Sequence, residues 1–237
     1  MKGRNRSLPG VKWGAAVVGL AVILGTPLLT QAQAAGASYP AMSAIDQYRM
    51  PREAEIKLAR TAAPESISRD AEILILGEHG FETAVKGKNG FVCTVQRGWA
   101  AGLDDPQFWN PKVRAPICFN AAAARSYLPR ALKKTEWALA GLTKAQIAEK
   151  LKTAFDNKEL AAVEAGAMCY MMSKDGYLSD RDGHWHSHVM FFVPAVDPNT
   201  WGVDAPDSPL LGAKNEAERV TIFLLPVRKW SDGTESE

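Results

Sequence analysis

Three of the four histidines in this chain fall within five residues, at His184, His186 and His188. Read as a strand from His184 to Val193, the run puts all three imidazoles on one face with Met190 and Phe192. Trp185, Ser187, Val189 and Phe191 take the other face. Neutral imidazole suits Zn, Cu, Fe or Ni, so the chemistry this spacing points to is a transition-metal site. Strand geometry sets a limit, because His184 and His188 would have Cα atoms roughly 13 Å apart. With metal–nitrogen bonds of about 2.0–2.1 Å, two neighbouring histidines share an ion easily. A third joins them only at a bend, which Gly183 would help to form. The expected distant ligand is His79, in the segment Gly77-Glu78-His79-Gly80, with Glu78, Asp180 and Asp182 behind it. The competing reading is a half-exposed sheet face, or rings that satisfy carbonyls in a polar core. Met168, Met171, Met172 and Met190 add a copper variant, although methionine in an apolar strand is more often core filler.

A second candidate chemistry belongs to Cys118, just ahead of the helix expected from Ala121, since a helix N-terminus favours a thiolate. His186 or His188 would be its base, and His79 or Asp182 the orienting group. Cys93, Cys118 and Cys169 cannot all pair within one chain, so at least one is buried, reactive, metal-bound or linked elsewhere. A disulfide at Cys118 would end this reading. The third possibility is a binding or structural protein of the cell envelope without chemistry of its own. Trp99, Trp109, Trp137, Trp185, Trp201 and Trp230 could line a groove for a sugar or lipid, though scattered tryptophans are mostly core or rim residues.

A His-x-His pair on a strand resembles the pair in cupin barrels and in alpha-type carbonic anhydrases. The resemblance covers only these few residues, and the glutamate that cupins place shortly after the pair is missing, because Val189 to Val193 is apolar throughout. A cysteine at a helix start with a later strand histidine is similar to the layout of papain-like peptidases and related cell-wall amidases. Cys118 departs from it by lying two residues ahead of the expected cap.

The elements that must position these residues can be read in order. Good helix formers run from Arg52 to Thr61, behind Pro51, and Pro64 closes them. Glu72 to Leu76 is a short apolar strand. Phe81 to Val85 and Gly90 to Gln96 are expected to form a hairpin across Lys86–Gly90, where Asn89-Gly90 supplies turn chemistry. On the second arm Phe91, Cys93 and Val95 share a face. Residues 97–120 resist assignment and are expected to pack over the core as a long loop. Asn120 caps a helix, Pro129 starts or kinks another, and Thr143-Lys144-Ala145-Gln146 is a capping box for a third, which reaches about Phe155. Strands are expected at Ala167–Ser173, His184–Val193 and Arg219–Val227, with 197–214 as loop. The fold class is therefore α+β, a mostly antiparallel sheet with a central helical segment (about residues 121–155) between two groups of strands.

Residues 1–34 carry the marks of a cleavable signal peptide. Lys2, Arg4, Arg6 and Lys12 supply charge, Trp13 to Leu29 is mostly apolar, and Ala32-Gln33-Ala34 is a small-x-small exit. Removing four bases from 28 Lys and Arg leaves 24 against 26 Asp and Glu, a formal net charge of −2 for the mature chain. No basic stripe survives, which argues against a nucleic-acid partner. The expectation is one globular domain at 35–237, exported to the periplasm or outside the cell. Its cofactor would be zinc or another transition metal, with no nucleotide cofactor. Its partner would be a small molecule or an envelope component, and it would meet the membrane only through the leader before cleavage.

Overall fold

The computed structural model describes residues 39–236, so the leader expected at 1–34 lies outside the described residues. Helix α1 (Arg52–Arg60) starts directly behind Pro51, with Glu53 and Glu55 in its first turn and Lys57 and Arg60 in its last, the order the helix dipole favours. Pro64 then opens a single further turn, α2 (Glu65–Ser68). Strand β1 (Glu72–Leu76) follows, then β2 (Phe81–Val85), β3 (Val92–Gln96) and β4 (Ala115–Phe119). The helical segment comes next: α3 (Ala121–Ser126), α4 (Leu128–Leu139) and α5 (Lys144–Asp156). Strands β5 (Met168–Met171), β6 (His188–Pro194), β7 (Leu211–Asn215) and β8 (Val220–Pro226) complete the described chain. The fold is α+β, and the sheet is mostly antiparallel.

Caps fix the helical segment where its sequence places it. Asn120 Oδ1 accepts the Ala123 N–H at 2.9 Å, and its Nδ2 donates to the Gly166 carbonyl at 2.8 Å. That one side chain both starts α3 and ties it to the approach to β5. The Thr143–Gln146 capping box is formed in full, and Ile147, Leu151 and Phe155 of α5 are buried as their spacing requires.

All eight strands belong to one sheet in the order β2-β1-β3-β4-β5-β6-β8-β7, and only β1 and β3 run parallel. The α3–α4 pair covers one face, packing Leu74, Ile117, Phe119, Cys169 and Phe192 against Tyr127, Leu128 and Ala131. Helix α1 covers the other face at β1, β3 and β4 through Ala59, Ile73, Ile75, Cys93, Val95 and Cys118. A third cluster joins α5 to the 97–113 loop: Trp99, Phe108 and Trp109 are buried against Tyr48, Ile147 and Leu151. The loop packs over the core, as its aromatics imply. The described residues belong to one compact unit.

Four element assignments are corrected. The expected hairpin of Phe81–Val85 with Gly90–Gln96 does not form, because β1 lies between them and the tight hairpin is β1–β2, closed where Gly77 N–H meets the Gly80 carbonyl at 2.8 Å. The Lys86–Gly90 segment instead passes beside the start of β1. Lys88 N–H donates to Asp70, and the Glu72 N–H donates to Phe91. A Cβ at Gly87 would lie 2.3 Å from the Glu72 nitrogen, so the crossing requires glycine there. Strand β4 lies within the 97–120 segment expected to be loop, and it carries Pro116, a residue that central strands rarely admit. It is tolerated because the β4–β5 ladder pairs only Cys118 and Phe119 and has ended before Pro116. Strand β7 emerges from what reads as a polar loop, at the sheet's edge, where little burial is demanded of it. Finally, β6 begins at His188 rather than His184.

Candidate functional site

That late start of β6 decides the geometry of the histidines. Residues 184–187 are irregular, so alternation does not align the three rings. His188 is the first residue of β6, only 3% exposed, and its Nδ1–H donates to the His186 carbonyl at 2.7 Å. Burial lowers its pKa, which favours the neutral ring, and with Nδ1–H donating that neutral ring carries its lone pair on Nε2. The other two rings stand against tryptophans, and His184 also borders a small pocket with Trp185 and His188. His184 stands edge-on to Trp230, with centroids 5.5 Å apart. Trp185 stands 5.6 Å from the His186 ring and 4.8 Å from the His188 ring, an indole placed among the imidazoles. Asp182, His184, His186 and Glu235 line one polar cleft of about 570 Å³, while Asp182 is held by Arg181 and Ser179. His79 is exposed in the β1–β2 turn, four strand positions from β6, which is about 19 Å at the usual spacing. Glu78 is exposed beside it. Asp180 is engaged by Tyr39, Tyr177 and Lys112. Among the described residues no three His, Cys, Asp or Glu side chains converge as a metal would need.

The cysteine candidate is corrected outright. Cys93 and Cys118 face each other across β3 and β4 and are joined by a disulfide, so Cys118 has no thiol to ionise. Cys169 is free but buried on the opposite face of the sheet, among Phe119, Phe192 and Val220. Burial pushes its thiol well above the usual range, which makes it inert.

A site that the sequence did not disclose lies between the sheet and α4. It is a cavity of about 280 Å³. Ala115, Ile117 and Phe119 of β4 line it, with Met171 of β5, Met190 of β6 and Ile222 of β8. Tyr127 and Ala131 form the helical wall, and the 97–113 loop supplies the rim with Ala100, Ala101, Asp105 and Gln107. Gly98 allows that rim to close, because a Cβ there would lie 2.2 Å from the Gln107 carbonyl oxygen.

One polar side chain from an interior strand of the sheet also lines this cavity. Gln96, the last residue of β3, is 3% exposed, and neither its Oε1 nor its Nε2 has a hydrogen-bond partner. Thr94, two residues earlier on the same face, is fully buried and its Oγ1 is likewise unpartnered. Leaving a buried amide unpaired costs roughly 1–3 kcal/mol.

The charged groups around the cavity are, by contrast, satisfied. Arg97 is buried against Glu55 at 2.9 Å and also donates to the Tyr48 and Val95 carbonyls. Burial pushes its guanidinium down to about 10, against the pull of Glu55. Glu55 Oε1 also accepts the Leu76 N–H at 3.1 Å. Lys134 on α4 bonds Glu218 at 2.6 Å and the Ala100 and Ala101 carbonyls of the rim at 3.2 and 2.7 Å. Burial raises the Tyr127 phenol well above its usual value, and the Glu218 carboxylate raises it further. These paired charges hold the walls in place and leave none of their own for a ligand.

No protein-family model, curated protein or solved structure matches this chain.

Proposed function

We propose that this chain is an exported, non-catalytic binding protein that holds a small, mainly apolar molecule in the cavity between the sheet and α4. The observation that carries the reading is Gln96: an unpaired carboxamide, buried at the end of an interior strand, lining an otherwise largely apolar space. Ligand sites have this composition, an apolar lining with a few placed polar groups. Its volume of about 280 Å³ is nearly twice the ~150 Å³ that admits benzene in an engineered protein cavity. Among the described residues its lining has no histidine or cysteine, which supports binding rather than catalysis. The Cys93–Cys118 disulfide supports an oxidising destination, the periplasm or beyond. No helix among the described residues is long and apolar enough to cross a membrane.

The test is titration of the purified mature chain with toluene. An aromatic ring that buries about 150–200 Å² gains about 4–5 kcal/mol at about 25 cal/mol per Å². That corresponds to a Kd of about 0.2–1 mM. The expected result is one saturable site per chain, lost in Ala101→Phe, which fills the mouth while circular dichroism stays that of the parent. Absence of saturable binding in the parent chain would overturn the reading.

Zinc or another transition metal on His184, His186 and His188 is the weaker reading, favoured by the polar cleft but lacking three converging ligands among the described residues, and His79 stands apart from all three. Elemental analysis is its check: about one metal per chain, released by His186→Ala, would reinstate it.

A further inference from the structure

Resting on that reading of the cavity, we infer that its ligand is a neutral molecule with an amide edge, a primary carboxamide or a lactam, attached to an apolar body. Gln96 presents a donor and an acceptor side by side, and both are unpaired. Whichever way its amide is turned, one end donates and the other accepts. A neutral group that satisfies both at once at any ordinary pH is another amide presenting its N–H and C=O on the same side, in a paired two-bond contact.

The walls exclude the charged alternatives. An anion would have to be held by Arg97 or Lys134, yet both are committed, Arg97 to Glu55 and two carbonyls, Lys134 to Glu218 and two carbonyls. Asp105 at the rim adds a carboxylate that repels an anion. A cation entering past that rim would lose its water among Ile117, Phe119, Met171, Met190 and Ile222, with no buried carboxylate left to pair with it, since Glu55 and Glu218 already have partners. A hydrocarbon fits the apolar part but leaves Gln96 unpaired. An amide-bearing molecule meets both halves of the cavity.

The experiment compares three probes of similar shape, benzamide, acetophenone and ethylbenzene, titrated into the parent chain, Gln96→Leu and Ala101→Phe. Benzamide offers donor and acceptor, acetophenone only an acceptor, and ethylbenzene neither. The expected result is that Gln96→Leu lowers the ratio of benzamide to ethylbenzene affinity by about tenfold or more, with acetophenone between them. All three probes should lose their site in Ala101→Phe. An unchanged ratio in Gln96→Leu, with binding still lost in Ala101→Phe, would overturn the amide inference and leave the apolar cavity standing. Failure of every probe to bind the parent chain would overturn both. Tighter binding of benzoate than of benzamide would also overturn the inference, by showing that the cavity takes anions.

Discussion

Gln96 differs from the charged side chains buried around this cavity in having nothing to bond to. Arg97, Glu55, Lys134 and Glu218 are charged and buried, which is costly, but each has a partner at 2.6–2.9 Å. The amide of Gln96 has none, and that cost appears in stability. Gln96→Leu in the unliganded chain should raise the free energy of unfolding by about 1–2 kcal/mol, measured by urea denaturation, because an apolar side chain of similar length suffers no desolvation. A loss of more than about 1 kcal/mol would mean that the amide is satisfied in the native protein. The sequence hid this residue for a simple reason. In Val92-Cys93-Thr94-Val95-Gln96 the alternation resembles a half-buried strand with Thr94 and Gln96 facing water. Helix α4 covers that face, and no local pattern in β3 says so. The histidines are the opposite case. Their types and spacing were plain, but the bend that sends His184 to Trp230 and buries His188 depends on where β6 joins its neighbours.

Elements were easier to read than their neighbours. The helix caps at Asn120 and Thr143 are local hydrogen-bond devices, so they were legible residue by residue. Strand pairing is set by contacts distant in sequence. The chain around Asn89-Gly90 does turn, yet it leads past β1 rather than back along β2. One connection beyond the sheet ties the irregular parts together. Asp180 accepts hydrogen bonds from Tyr177, from Tyr39 of the N-terminal arm at 2.5 Å and from Lys112 of the 97–113 loop at 3.0 Å. Its carboxyl is held down to about 2, chiefly by Tyr177, then by Tyr39 and Lys112. Because the folded value lies below the unfolded one near 3.9, the clamp's contribution is present above about pH 4 and is lost as the pH falls through about 2. Asp180→Asn should therefore flatten the decline in urea midpoint between about pH 5 and about pH 2. An acid limb as steep as the parent's would show that Asp180 does not carry it.

At the scale of the whole molecule, the three cysteines divide between two faces of one sheet. Cys93 and Cys118 are bonded beneath α1, while Cys169 lies under α3 and α4, so the free thiol cannot reach the disulfide in the folded state. The native protein should give no fast reaction with iodoacetamide, and the unfolded, unreduced protein should give one alkylated site, at Cys169. Rapid labelling of the native chain at Cys118 would revive a cysteine nucleophile. The fold class was legible from the succession of strands, helices and strands, and the covering helices follow from it. The cavity was not legible, because its lining comes from five strands, the start of α4 and the loops beside them, which meet only when the whole sheet has formed. The central claim, that this cavity takes a small ligand, is tested most directly by a methyl-labelled NMR titration with benzamide. The methyl signals of Ile117, Met171, Met190 and Ile222 should shift together and saturate, while those of Ile73 and Ile75 under α1 stay in place. Unmoved cavity methyls, or shifts confined to residues outside the cavity, would contradict it.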